Sequence, residues 1–88
     1  MKSLYEFDAI IIKNPDMDAT YIEFPWNCKE EFGSYRVKVE ATFDGETYKG
    51  LLCRMGTENS IIGITKAIRQ KISKQAGDRV HVTIRKIE

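Results

Sequence analysis

Two cysteines and one histidine are the residues of this chain whose side chains most readily act as nucleophiles, bases or metal ligands. Cys28 and Cys53 stand 25 positions apart, which excludes a CxxC redox motif and favours two free thiols over a disulfide framework. Lys29 beside Cys28 could lower the pKa of that thiol, but no base lies nearby in sequence. His81 has no second imidazole at the spacing of a zinc site. We therefore expect no metal, no cofactor and no catalytic residues, and hence a protein that is not an enzyme.

Basic residues crowd the C-terminal third of the chain, where they could contact phosphates. Residues 1–60 hold seven basic and eleven acidic side chains, a net charge of −4, whereas residues 61–88 hold seven and two, a net charge of +5. Lys66, Arg69 and Lys74 are therefore candidate ligand-binding residues, and they support an alternative function as a nucleic-acid-binding barrel. The other interpretation is a solvated amphipathic helix, because these cations flank the apolar stripe on both sides. Nucleic acid is thus a partner that we do not favour.

Trp26, which follows Phe24 and Pro25, is the fourth candidate ligand-binding residue. An aromatic ring at the rim of a barrel could stack on a ligand, although a tryptophan in such a run is more often a partly buried plug. Paired acids such as Glu30 and Glu31 are explained as solvated turn residues. With no stronger constellation, the sequence predicts a non-enzymatic binding or interaction module whose ligand it does not identify.

Alternating apolar and polar residues predict the strands that position these side chains. The predicted strands cover residues 4–13, 19–24, 36–43, 46–54 and 79–85. Asp44-Gly45 joins the third and fourth strands and predicts a two-residue type I′ turn, because both residues of that turn need a positive φ. Gly50 lies inside the return strand and predicts a bulge or a bend there. The strand over residues 19–24 is expected to pair back on the first strand.

A short helical turn is expected after the second strand. Asn27 is a suitable N-cap for a turn over residues 29–32, and Gly33 is a suitable residue to end it. Residues 60–64 are either a short strand or the approach to a second helix. Trp26 and Phe32 are expected to pin the short helical turn to the barrel.

The main helix is predicted over residues 65–76. Thr65 is a plausible N-cap, isoleucines recur every four residues along one face, and Gly77 follows as a C-terminal stop. One main helix beside several short antiparallel strands indicates a mostly β fold, a small antiparallel β-barrel that spans residues 1–88 as a single domain.

The apolar run Ile10–Ile12 presents apolar residues to both faces of its strand, which is typical of a strand that enters a barrel interior or an interface. It motivates the expectation of a homodimer. No apolar run approaches the roughly 20 residues of a membrane helix. The free thiols and the lack of a signal peptide predict a cytoplasmic protein with no membrane association.

An ordered set of short motifs extends along nearly the whole chain. They are Phe24-Pro25-Trp26, Phe32-Gly33, the run 37–45, Met55-Gly56, the run 63–69 and the run 76–80. In this order they resemble the bacterial domain-of-unknown-function family nineteen-oh-five. The resemblance implies a double-split β-barrel, a fold shared with swapped-hairpin bacterial regulators and antitoxins that act as dimers. It implies no established biochemical function, since a shared fold does not transmit function.

Overall fold

A computed structural model describes residues 4–16, 18–54 and 59–87 of the chain. Within these residues lie seven strands and two helices. In chain order they are β1 (Tyr5–Ile10), β2 (Ile12–Lys13), β3 (Thr20–Glu23), α1 (Cys28–Phe32), β4 (Arg36–Phe43), β5 (Glu46–Cys53), β6 (Ile61–Ile64), α2 (Lys66–Ile72) and β7 (Arg79–Lys86). The strands form one antiparallel sheet in the order β1-β7-β4-β5-β6-β3-β2, and this sheet curls into a half-barrel. The predicted fold class, a small mostly β barrel-like fold, is confirmed.

A break in the first strand, at Ile11, allows the sheet to curl. β1 pairs with β7 and β2 pairs with β3, so the two edge strands of the sheet are consecutive in sequence. Between them, the Ile11 N–H donates to the Asp78 carbonyl at 2.9 Å, and the Ile11 carbonyl accepts from the Gly77 N–H at 2.8 Å. The predicted single strand over residues 4–13 is therefore two strands. Its predicted pairing with the second strand is made by β2 alone.

The three isoleucines at this break lie in different environments. Ile11 is buried, Ile12 is half-buried, and Ile10 is 47% exposed on edge strand β1. The expectation that this run enters the interior therefore holds for Ile11. The homodimer stays a prediction, and Ile10 is the apolar side chain of the run that a partner could cover.

The central hairpin follows the predicted register. Asp44 and Gly45 have φ values of 50° and 89°, so the predicted turn with two positive φ angles is confirmed. Of the bulge or bend predicted at Gly50, the bulge is wrong, because β4 and β5 pair residue for residue from end to end, with Gly50 opposite Val39. A Cβ at Gly50 would lie 2.5 Å from the Tyr48 ring. Glycine at this position makes room for that ring, which leans along its own strand.

Inward residues of the long strands fill the core, as their alternation predicts. The buried strand residues of β4, β5 and β7 are Val37, Val39, Ala41, Phe43, Leu52, Val80, Val82 and Ile84. Five aromatic rings form one end of this core, with centroids 5.1 to 6.0 Å apart; they belong to Tyr5, Phe7, Phe24, Trp26 and Phe32. Edge-to-face contacts of this kind add stability beyond the area they bury.

The short helix α1 is capped as predicted. The Glu30 N–H donates to Asn27 Oδ1 at 3.0 Å, and Gly33 ends the helix in the left-handed region at a φ of 84°. Tyr5 anchors α1 to β1, since its hydroxyl donates to the Glu31 carboxylate at 2.7 Å. These contacts fix the segment that carries Trp26.

Helix α2 begins as predicted but ends earlier. The Ile68 N–H donates to Thr65 Oγ1 at 3.2 Å, which confirms the N-cap. The predicted extension to residue 76 is wrong, because Ser73 takes a left-handed φ of 58° and closes the helix. Gly77 shapes the next turn instead, where Asp78 Oδ2 accepts from the Gln75 N–H at 2.9 Å. Neither helix in the described part of the chain has the length and apolar character needed to cross a membrane.

Asp44 has more contacts than its role in the turn requires. Its N–H donates to the His81 carbonyl at 2.8 Å, and its Oδ1 accepts from the His81 N–H at 2.9 Å. Lys74 Nζ lies 2.7 Å from Asp44 Oδ2, so the hairpin tip joins the segment after α2 to β7. The hydrogen bond from Lys74 lowers the pKa of the Asp44 carboxyl, and burial opposes only part of this. The charged carboxylate therefore stabilises the folded state.

The variants Asp44→Ala and Asp44→Asn separate the turn from the ion pair. We expect Asp44→Ala to lower the free energy of unfolding by about 1–3 kcal/mol, because it removes an acceptor, an ion pair and a residue that tolerates positive φ. Asp44→Asn keeps a side-chain oxygen as the hydrogen-bond acceptor and a residue that tolerates positive φ. It should therefore lower the free energy of unfolding by less than Asp44→Ala does. Urea unfolding at neutral pH measures both.

The dependence of the free energy of unfolding on acidic pH, the acid limb of the stability curve, provides the second measurement. Because the folded pKa of Asp44 lies below its ordinary value of 3.8, its contribution is present above that value and is lost as the pH falls through the folded pKa. Asp44→Asn should therefore flatten the loss of stability towards about pH 3. Glu46→Gln is the matched control, since its carboxylate is 3.8 Å from Lys71 and exposed. A control that flattens the acid limb equally would contradict this assignment.

Candidate functional site

A small polar cavity lies beside Trp26, and we call it the tryptophan cavity. Its volume is about 230 Å³. The residues that line it are Pro25, Trp26, Asn27, Cys28, Tyr35, Arg54, Asn59 and Ser60. They come from the end of β3, the start of α1, the approach to β4, the end of β5 and the approach to β6, so the cavity exists only in the folded chain.

Ser60 is the most unusual polar residue of the tryptophan cavity. Its side chain is buried, with the residue 3% exposed, and its hydroxyl has no hydrogen-bond partner among the described residues. The Phe24 N–H donates to the Ser60 carbonyl at 2.8 Å, which fixes the residue between β3 and β6. A buried hydroxyl without a partner costs free energy that a ligand or a water molecule inside the cavity would recover.

Arg54 supplies positive charge to the same cavity. Its guanidinium lies over the Tyr35 ring, 4.8 Å from the ring centroid. Tyr35 itself is 39% exposed to solvent. A guanidinium held over an aromatic face keeps its N–H donors free at its edge. The cavity therefore combines a buried hydroxyl with a cation, and both can donate hydrogen bonds to an anion.

Cys28 lies at the buried wall of the cavity. Burial raises the pKa of its thiol, and the Ser60 hydroxyl beside it opposes part of that rise. The thiol and the hydroxyl do not form a hydrogen bond of normal geometry. Cys53 adds a further small rise in the pKa. The Cys28 thiol is therefore protonated at neutral pH, whereas a nucleophilic cysteine needs a lowered pKa.

Trp26 lies between the core and the cavity. The centroid of its ring is 5.3 Å from that of Tyr5, 5.6 Å from that of Phe7 and 5.4 Å from that of Phe24. The plug expected from the sequence is thus present, and the same ring lines the cavity. Sequence reasoning missed Arg54 and Ser60, since no local pattern marks residues at the ends of strands.

The three basic candidates of the main helix lie together, away from Trp26. Lys66, Arg69 and Lys74 line one cleft of about 400 Å³ on α2 and the turn after it. The Lys74 ammonium is bound to Asp44 and also donates to the Arg79 carbonyl at 2.5 Å. Arg69 Nε is buried without a hydrogen-bond partner in the described residues. Neither Lys66 nor Arg69 forms an ion pair with another described residue, whereas the Lys74 ammonium is already paired.

Much of the basic third is neutralised by the acidic body of the chain. Arg85 Nη2 lies 2.7 Å from the Glu40 carboxylate across β7 and β4, and Lys71 Nζ lies 3.8 Å from that of Glu46. Exposed pairs of this kind contribute little stability individually. Because of these pairs, the uneven charge of the sequence mainly produces ion pairs within the fold and not a basic face.

His81 is exposed on β7, as expected, and lies between two carboxylates that the sequence did not reveal. Its Nδ1 is 2.9 Å from Asp8 Oδ1, and its Nε2 is 2.7 Å from Glu6 Oε2. The hydrogen bond with Asp8, followed by that with Glu6, raises the pKa of His81 above 6.5. Both ring nitrogens can donate at once only in the protonated imidazolium. In the described residues no group of three or more His, Cys, Asp or Glu side chains is arranged to hold a metal ion.

The carboxylates around His81 give stability a dependence on pH near neutrality. Because the folded pKa of His81 is raised, its contribution is fully present below about pH 6.5 and is lost as the pH rises through the folded pKa. We expect His81→Gln to flatten the change in melting temperature between about pH 5.5 and about pH 8.5. The double variant Glu6→Gln/Asp8→Asn should flatten it as well, and an unchanged pH dependence in both variants would refute the assignment.

Comparison with known proteins gives the chain a family. A search of curated proteins finds no match. A family model described as "Domain of unknown function (DUF1905)" matches residues 7–84, which include every strand of the sheet at least in part and the whole tryptophan cavity. The chain belongs to this family of domains of unknown function.

Proposed function

We propose that this domain is a non-enzymatic binding module that takes a small anionic molecule into the tryptophan cavity. Ser60 lines the cavity, and its buried hydroxyl without a partner in the described residues is the observation that carries the proposal. Buried polar groups in folded proteins are nearly always hydrogen-bonded. An acceptor atom inside the cavity would satisfy this one.

The lining defines the chemistry of the ligand. Ser60 and Arg54 both donate hydrogen bonds, so the ligand carries an acceptor with negative charge, such as a phosphate or a carboxylate. A cavity of about 230 Å³ is below the usual range for drug-sized ligands, which restricts the ligand to a small molecule or to one group of a larger one. Trp26 and Tyr35 provide aromatic walls beside that group.

The absence of an enzymatic role is part of this proposal. The raised pKa of Cys28 keeps it in the thiol form, which makes it a poor nucleophile. Both cysteines are free thiols, which supports a cytoplasmic location.

Trp26 provides a direct test of the proposal, because it is the only tryptophan in the sequence and it lines the cavity. Inorganic phosphate is the probe, titrated at constant ionic strength against sodium chloride. We expect a saturable change in tryptophan fluorescence with phosphate only. Arg54→Gln should weaken binding about tenfold or more, because it removes a charge-assisted hydrogen bond.

Ser60→Ala separates binding from folding. We expect it to weaken phosphate binding by roughly three- to tenfold while leaving the free energy of unfolding unchanged or higher, since it deletes an unsatisfied buried hydroxyl. Arg79→Gln is the matched control for charge, because Arg79 is an exposed cation outside the cavity. If phosphate leaves the fluorescence unchanged, or if Ser60→Ala and Arg54→Gln bind as tightly as the control, the proposal is refuted.

A nucleic-acid-binding barrel is the second candidate function, and the availability of Lys66 and Arg69 favours it. Both side chains line the α2 cleft, and neither forms an ion pair with another described residue. Two contacting cations would release about two counterions, so the logarithm of the affinity should fall with the logarithm of the salt concentration with a slope of about −2.

A random-sequence duplex titrated near 50 mM salt tests this candidate, with the slope measured as salt rises. The double variant Lys66→Gln/Arg69→Gln should abolish the salt-dependent binding, and Lys71→Gln should reduce it little because Lys71 does not line that cleft. Duplex binding that is equal in the double variant and the control would eliminate this site.

A further inference from the structure

A second cleft lies where β4 extends past the end of β7, and we call it the cationic cleft. β4 begins at Arg36, but its pairing with β7 begins only at Val39, opposite Lys86. The cleft at this unpaired end has a volume of about 390 Å³. Its lining residues are Phe32, Ser34, Arg36, Val37, Lys38, Leu51 and Lys86.

Three cations and no carboxylate line the cationic cleft. Arg36 and Lys38 lie on the outward face of β4. Lys86 lies opposite the inward-facing Val39, and it is exposed because β7 ends there. None of the three forms an ion pair with another described residue. Elsewhere in the fold, basic residues such as Arg85 pair with carboxylates across strands. Three like charges around one cleft repel each other, and an anion between them would relieve that repulsion.

Three backbone groups at this end of β4 already have hydrogen-bond partners. The Arg36 N–H donates to Ser34 Oγ at 3.1 Å, and the Ser34 hydroxyl donates to the Arg36 carbonyl at the same distance. The Lys38 carbonyl accepts from the Ile87 N–H at 3.2 Å. A peptide that adds a strand would need these backbone groups, so the cleft is suited to recognition by side chains.

The floor of the cleft is apolar. Phe32 and Val37 are largely buried beneath it, and Leu51 is half-buried at its side. We infer that the cationic cleft binds a small amphipathic anion, with a carboxylate head among Arg36, Lys38 and Lys86 and a short apolar body against Leu51. This site is separate from the tryptophan cavity and does not depend on the function proposed for it.

Hexanoate is the probe for this site, and acetate and hexanol are its matched controls. Hexanoate carries both the charge and the chain, acetate only the charge, and hexanol only the chain. We expect hexanoate to shift the backbone amide resonances of Val37, Leu51 and Lys86 saturably. Acetate and hexanol should bind at least about tenfold more weakly, since acetate lacks the apolar chain and hexanol lacks the charge.

The variants Lys38→Gln and Lys86→Gln should each weaken hexanoate binding several-fold, and the double variant about tenfold or more. Lys49→Gln is the control, because Lys49 is an exposed lysine of β5 outside the cleft. Circular dichroism establishes that each variant is folded, and Arg36→Gln replaces any variant that is not. Equal binding of hexanoate and hexanol, or equal affinity in the double variant and the control, overturns the inference. Loss of hexanoate binding in Arg54→Gln but not in Lys38→Gln would also overturn it, by assigning the ligand to the tryptophan cavity.

Discussion

The two hydrogen bonds of the Ile11 backbone are the constraint on which the rest of the structure depends. By pairing with the turn before β7, they end β1 and begin β2, so one chain segment supplies both edges of the sheet. Because of the break, β1 pairs with β7 and β2 pairs with β3, and the two pieces of the first segment lie at opposite ends of the strand order. The edge strand β2 is only two residues long, which limits the pairing of other chains at that edge.

The same topology decides where the charges meet. Since β7 lies between β1 and β4, the basic C-terminal third is placed among acidic residues of the N-terminal part. His81 thereby meets Asp8 and Glu6, and Arg85 meets Glu40. An uneven charge distribution along a sequence is therefore not by itself a basic surface. The cations of the cationic cleft come mainly from the acidic part of the chain, and they stay without an acidic partner because the residues opposite Arg36 and Lys38 on β5 are uncharged.

Local patterns predicted the parts of the fold that local geometry controls. The alternation of β4 and the positive φ angles at Asp44 and Gly45 follow from residue types a few positions apart, and so does the N-cap at Thr65. The break at Ile11 and the end of α2 at Ser73 did not follow, because each depends on backbone hydrogen bonds or packing that only the folded chain creates. A glycine that follows a helix pattern is a plausible stop, yet Gly77 is used by the next turn.

Both proposed sites lie where a strand ladder stops, which explains why the sequence identified them poorly. Arg54 follows β5 and Ser60 precedes β6, and those strands are joined by the single pair Cys53 and Ile61. In the cationic cleft, Arg36 and Lys38 extend past the end of β7. Side chains at such ends lack a cross-strand neighbour on one side, and the neighbours of Arg36 and Lys38 on β5 are the uncharged Cys53 and Leu51, so an acidic partner is missing there. The binding proposed for this fold is therefore placed where its strand ladders stop, and a search for catalytic spacing in the sequence does not detect such places.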